Sequence, residues 1–175
     1  MTIYLSLLRG INVSGQKKIK MDDLKALYED LGFSNVRTYI QSGNVVFESL
    51  LDRDTLAGKI QTAIMAQYGF EVHIVIRTTT EMQEVLACQP FTEAETAQLY
   101  VSFLDNLPTL ERVETLKAFN FAPDILQIVG KTVYLRVDSY GKTKLSNAFI
   151  ESKLQVKATT RNWNTLNNLV AMLGD

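Results

Sequence analysis

Arg9, Lys17, Lys18 and Lys20 fall within the twelve residues RGINVSGQKKIK, and no acid lies among them. Such a run can hold an anion by side-chain charge. Gly10 and Gly15 would free the backbone to present N–H groups beside the N-terminus of the following helix. Residues 142–161 form a second basic stretch, in which Lys142, Lys144, Lys153, Lys157 and Arg161 face only Glu151. Within it, YGKTK (140–144) repeats the pattern of a basic loop leading into a helix. TTRNWNT (159–165) sets Arg161 and Asn162 at a predicted helix start, where guanidinium and amide groups suit a planar or anionic ligand. The plainer alternative is solvated lysines around turn-forming glycines, with Thr160, Asn162 or Asn164 capping a helix and Trp163 anchoring its apolar stripe.

Catalytic patterns are weak. His73 is the sole histidine and is read as mid-strand, which excludes a histidine-based triad or metal site argued from sequence. Cys88 reads as a core thiol at a helix end. Ser42 in YIQSGN is a turn residue, since no G-x-S-x-G elbow surrounds it. Gly-Lys-Thr occurs at 130–132 and 141–143, but Ile125 and Arg136 stand where a P-loop needs its first glycine. Asn12-Val13-Ser14 is a glycosylation sequon that matters only in a secreted protein. No metal or cofactor is implied.

With 175 residues, 46% of them apolar and 21% charged, the chain reads as one large globular domain or two small ones. The net charge of −1 argues against a wholesale polyanion binder. It hides an uneven spread, because residues 81–114 hold seven acids and one arginine. A single cysteine rules out an internal disulfide. No stretch approaches the ~18 apolar residues of a membrane span, and MTIYLSLLRG lacks a charged leader, so the expectation is a cytoplasmic protein.

The elements that must position these residues follow from periodicity. IYLSLL (3–8) reads as a buried strand, and Leu24, Leu27, Tyr28 and Leu31 line one face of a helix. VRTYIQ and NVVFES flank Ser42-Gly43, a two-residue hairpin turn. A helix over 53–67 and the strand EVHIVIR complete β-α-β-β-α-β, the ferredoxin-like order. The pattern then restarts with the strand LYVSFL (99–104), a helix near 109–118, and DILQIV paired with TVYLRV across Gly130-Lys131. A helix over 144–153, a strand QVKAT and a closing helix over 162–173 follow.

The fold class is therefore α+β, a tandem duplication of ferredoxin-like units with extra linker and C-terminal helices. The units cover 1–79 and 97–175, with a helix and linker at 80–96; a single continuous mixed sheet is the alternative. Alternation predicts that Ile3, Leu5, Leu7, Val45, Phe47, Val72, Ile74 and Ile76 face the helices. Tyr4, Ser6, Arg37, Tyr39, Gln41, Asn44, His73 and Arg77 would line the opposite face, as would Tyr100, Ser102, Tyr134 and Arg136 in the second half. Loops after the first and third strands of a unit are expected at one sheet end.

LLRGINVSGQKKIKM, YIQSGNVVFES, YGKTKLSN and TTRNWNT together resemble the bacterial domain-of-unknown-function family 1697. The resemblance implies two ferredoxin-like units in one small cytosolic protein, with no established activity and no catalytic residue to carry over. Ser14-Gly15 departs from the Gly-Gly usual in that family.

Three functional classes remain. The favoured one is a non-catalytic binder of a nucleotide, nucleic acid or phosphorylated metabolite. Its ligand-binding residues would be Arg9, Asn12, Lys17, Lys18, Gln41, Ser42, Asn44, Lys142, Lys144, Arg161 and Asn162, and tyrosines on the sheet faces would stack on bases. An enzyme acting on a small phosphate- or carboxylate-bearing substrate would need a strongly shifted Lys or Asp beside the basic loop. An interaction scaffold, such as a homodimer through the sheet faces, would bury Tyr4 and Tyr100. No membrane partner is expected.

Overall fold

Apolar strands too short to fold alone are completed here by amphipathic helices laid across two sheets. The computed structural model describes all residues, 1–175. The first sheet contains β1 (Thr2–Leu8), β2 (Ser34–Tyr39), β3 (Asn44–Ser49) and β4 (Ile74–Thr78), in the antiparallel order β2-β3-β1-β4. Helices α1 (Met21–Asp30) and α2 (Arg53–Tyr68) connect these strands, and α3 (Thr79–Ala87) follows them. The second sheet contains β5 (Leu99–Leu104), β6 (Ile125–Val129), β7 (Thr132–Arg136) and β8 (Ala158–Asn162), in the order β6-β7-β5-β8. Its helices are α4 (Leu110–Lys117), α5 (Asn147–Leu154) and the closing α6 (Trp163–Leu173). The architecture is α+β, with six helices and two four-stranded antiparallel sheets whose repetition is consistent with a duplication.

The chain divides into two compact units, 1–83 with 169–175, and 84–168. Two boundaries thus differ from the sequence reading. The division falls inside α3, and the last seven residues cluster with the first unit, where Asp175 lies 3.8 Å from Arg37.

In the first unit, Leu24, Leu27 and Tyr28 of α1 and Leu56, Ile60 and Ile64 of α2 pack on Tyr4, Leu8, Val45, Phe47, Ile74 and Ile76. The expected side of β1 is therefore inverted. Tyr4 and Ser6 face the helices, opposite Phe47 and Val45, while Leu5 and Leu7 share the other face with Arg77 and Val75. The cause is that β1 is buried on both faces, so alternation has no solvent side to report. Ser6 tolerates the helix side because its hydroxyl meets the Tyr28 hydroxyl at 2.7 Å. That burial drives the Tyr28 phenol well above its ordinary range, against the lowering effect of the Ser6 bond.

β5 repeats the inversion. Tyr100 and Ser102 lie opposite Leu135 and Val133, on the side of the second core, and Tyr134 and Arg136 lie on the other. The Ser102 hydroxyl pairs with Thr160 Oγ1 at 2.6 Å, which in turn donates to Asn147 Oδ1.

Other local expectations shift. The β2–β3 connection has four residues, 40–43, rather than two, and Ile40 and Gly43 both adopt positive φ. His73 precedes β4 instead of lying inside it. Cys88 follows α3 and is exposed, not core. Trp163 is only half-buried, and α6 buries Leu166, Leu169 and Leu173 instead. The last strand falls at 158–162 rather than over QVKAT, which moves Arg161 from a helix start into a strand. α5 starts after Ser146, its N-cap, so Lys144 lies in the preceding loop.

The end of β4 carries a reciprocal cap. Thr78 N–H donates to Glu81 Oε2 at 2.8 Å and Glu81 N–H donates to Thr78 Oγ1 at 3.3 Å, while Arg53 Nη2 reaches the same carboxylate at 2.6 Å. Partial burial raises the Glu81 pKa, but the Thr78 and Arg53 bonds and the charges of Arg53 and Arg77 outweigh it and leave the carboxyl below its ordinary range. A depressed folded-state pKa gives stability that is full above the unfolded pKa and lost as pH falls through the folded one. Glu81→Gln is thus expected to cost about 1–2 kcal/mol at neutral pH. The difference should fade well below pH ~4. Urea melts at both pH values check this, and an equal difference at both would contradict it.

Candidate functional site

One end of the first sheet gathers the residues that the sequence singled out in that unit. β1 and β3 run antiparallel, so the loop after β1 shares its end with the β2–β3 turn and the approach to β4. The loop after β3 leaves from the opposite end, contrary to the sequence expectation. Leu8 N–H donates to Gly43 O and Arg9 N–H donates to His73 O, which ties three segments together.

The 9–20 loop is not an open glycine-rich cradle. Ser14 and Gly15, both at positive φ, turn the chain so that Gln16 N–H donates to Val13 O, and Asn12 N–H donates to Lys17 O. Two of the loop's backbone donors, those of Asn12 and Gln16, are therefore used within it. Asn12 also sits at positive φ and holds the structure together through its side chain. Its Nδ2 donates to Ile19 O at 2.9 Å and Gln41 O at 2.8 Å, while Oδ1 accepts from Ile19 N at 2.9 Å. Lys17 Nζ donates to Glu71 O at 2.7 Å. Asn44 is buried and donates to Tyr39 O and Ser42 Oγ, closing the neighbouring turn.

Of the predicted ligand-binding residues here, Asn12, Ser42 and Asn44 thus build the framework with the main-chain carbonyl of Gln41, which is itself exposed. Lys18 and Lys20 are exposed, and Arg9 is half-buried. Seven of the chain's twelve positive-φ residues lie in this loop and turn: Gly10, Asn12, Ser14, Gly15 and Lys17, with Ile40 and Gly43. Left-handed backbone at a lysine and at a β-branched isoleucine is costly.

In the second unit, Lys142, Lys144, Arg161 and Asn162 also come to one sheet end. Asp124, which sequence reading passed over, organises the loop. Its carboxylate accepts from Thr143 Oγ1 at 2.6 Å and from Asp138 N–H at 3.2 Å. Tyr140 stacks on Tyr100 with ring centroids 4.7 Å apart. Lys142 and Lys144 stay exposed. Arg161 is 7% exposed and donates to Thr159 Oγ1 and Thr160 O. Burial pulls its guanidinium down to about 10, against the opposing effect of Tyr140, so it stays charged at neutral pH. Asn162 Oδ1 accepts from Thr165 N–H at 2.8 Å and is the cap of α6.

Arg77 is the counterpart of Arg161. It is 3% exposed, lies one residue before the end of its strand, and donates to the carbonyl of the preceding residue, as Arg161 does. In each unit an arginine precedes a polar N-cap, Thr78 or Asn162, at a strand-to-helix junction. RTTTE and RNWNT carry that signal in sequence.

A family model described as "Protein of unknown function (DUF1697)" matches residues 1–134. The chain belongs to that family. Among solved structures, the conserved bacterial protein SP0830 from Streptococcus pneumoniae superposes with a TM-score of 0.81 at 24% identity, covering 98% of each chain. That likeness establishes the fold alone. No curated protein matches the chain. No helix is long and apolar enough to cross a membrane.

Two of the four tyrosines expected on the sheet faces are buried, while Tyr39 and Tyr100 are half-buried. Tyr4 is buried on the helix side with its hydroxyl donating to Leu51 O, and Tyr134 is buried with its hydroxyl donating to Val85 O. Burial, with a smaller contribution from the Cys88 thiol, pushes the Tyr134 phenol up to about 12. The shifted carboxyls do not sit beside the basic loop either. Asp52 is held low by the Thr55 N–H and hydroxyl as the cap of α2, and both Asp52 and Glu81 lie at the opposite sheet end. A groove of about 580 Å³ elsewhere in the first unit includes the ion pairs Lys25–Glu29 and Arg37–Asp175, and Glu48, which accepts from the Asn35 amide.

Gly43 joins the two motifs physically. A Cβ there would lie 2.7 Å from Ile11 Cδ1 and 2.8 Å from Leu8 Cβ, at φ +84°. Gly43→Ala should therefore destabilise the protein by about 2–4 kcal/mol, combining overpacking with left-handed strain. Urea denaturation measures this. A loss under ~0.5 kcal/mol would mean that the loop yields freely.

Proposed function

We propose that the protein is a non-catalytic binding module whose ligand carries phosphate groups, held at the sheet end formed by residues 9–20 and 41–44. The supporting observation is the concentration of left-handed backbone in a basic, solvent-facing loop. Strain of that kind persists only where surrounding structure over-determines it, and it clusters at ligand-binding segments. Here the Asn12 amide and the Lys17 bond impose one conformation, so the exposed Lys18 and Lys20 emerge from a fixed base. Such preorganisation lowers the ordering cost of binding. The buried tyrosines favour recognition of phosphate over recognition of bases.

We further propose that both units are ferredoxin-like and arose by duplication. Their strand orders are the same when numbered within each unit, and the paired Arg77 and Arg161 junctions support a common origin.

The function is tested with Lys18→Ala/Lys20→Ala, using a single-stranded oligonucleotide and inorganic polyphosphate as probes. Weaker binding of both is expected, with the slope of log K against log salt shallower by about 1–2 for the oligonucleotide. Lys142→Ala/Lys144→Ala should change affinity less. Affinities unchanged in the first variant would refute the assignment.

A further inference from the structure

The sheets have four edges, and three of them are managed. β2 carries a register break between Ser34 and Arg37 and presents that arginine. β4 is buried from Ile74 to Arg77, and β8 buries Ala158, Thr159 and Arg161. β6 is different. Its sequence, Ile125-Leu126-Gln127-Ile128-Val129, has no charge, proline or bulge, and its register with β7 is unbroken. Ile125 is 47% and Val129 42% exposed. An edge of this kind is a template for another strand.

We propose that β6 pairs antiparallel with β6 of a second copy of this chain, about a two-fold axis through Gln127. The backbone geometry specifies that register. Gly130-Lys131 is a two-residue turn, so Val129–Thr132 exchanges both main-chain bonds, as do Gln127–Tyr134 and Ile125–Arg136. The N–H and C=O groups of Leu126 and Ile128 therefore point to the open edge. An axis at Gln127 sets Leu126 opposite the partner's Ile128, so these outward groups meet one another and form four main-chain hydrogen bonds.

The side chains agree. On one face Leu126 meets the partner's Ile128, extending the core against which both already pack. On the other, exposed Ile125 meets the partner's Val129, and the two Gln127 amides face each other. An axis at Leu126 would set Asp124 against Ile128, and one at Ile128 would set Lys131 against Ile125. Only the Gln127 axis matches apolar with apolar at every flanking pair. The result is one eight-stranded sheet built from two second units, with a self-complementary interface as two-fold symmetry requires.

Gln127 is exposed, so charge can be placed on the axis without disturbing the core. The wild-type chain should sediment as a dimer in the micromolar range. Gln127→Lys and Gln127→Glu should each be folded by circular dichroism and monomeric, with dimer dissociation constants raised roughly tenfold or more. An equimolar mixture of the two should recover the dimer mass. A monomeric wild type, a Gln127→Lys chain that stays dimeric, or two monomeric variants that fail to combine would each overturn the proposal.

Discussion

The Asn12 side-chain amide is the constraint on which the first unit's candidate site depends. It donates to Gln41 O and Ile19 O and accepts from Ile19 N–H, so one residue joins both ends of its own loop to the adjacent turn. A short polar side chain that bonds locally is among the few that visit left-handed backbone at tolerable cost, and Asn12 uses both properties. Ser14, Gly15 and Lys17 follow into the same region because the loop must return to the Asn12 anchor. Gly43 allows the turn to close against Leu8 and Ile11, where any side chain would collide. The basic residues are thus presented by a scaffold held by the Asn12 bonds and by the buried Ile11 and Ile19.

The second unit reaches a similar outcome by different means. Asp124 ties Thr143 and the Asp138 amide, and the Tyr100–Tyr140 stack covers the loop's base. The two units share the Arg77 and Arg161 junctions more closely than their loops. In both, the strand end and helix start that each arginine precedes form a polar corner beside a buried guanidinium. Sheet order and strand-end chemistry are alike in the two units, whereas loop length and content differ.

Much of this was legible in sequence. Element order, the β6–β7 turn and the placement of α2, α3, β5 and α6 follow from periodicity and punctuation. The phase of β1 and β5 was not legible, because Ile3, Leu5 and Leu7 are as apolar as the alternate set and Ser6 suggested a wet face. The Tyr28 hydroxyl, brought over from α1, and the Val45 carbonyl satisfy Ser6 in the core. Arg161 was misplaced for a related reason, since ATTRN has no alternation that marks it as a strand. The polar motif residues stand out in the sequence, and in the structure Asn12, Asn44 and Asn162 satisfy backbone groups. Sequence spacing does not distinguish an asparagine that binds a ligand from one that holds a loop.

Amide hydrogen exchange of the 9–20 loop tests the central claim most directly. If Asn12 imposes one conformation, the amides of Asn12, Gln16 and Ile19, each donating in the structure, should exchange far more slowly than an open loop. Ile19 should lose its protection in an Asn12→Ala chain whose β1 amides stay protected. Exchange of all three at the rate of an unstructured peptide in the wild-type chain would contradict the account, because a loop that samples many conformations cannot present its lysines from a fixed base.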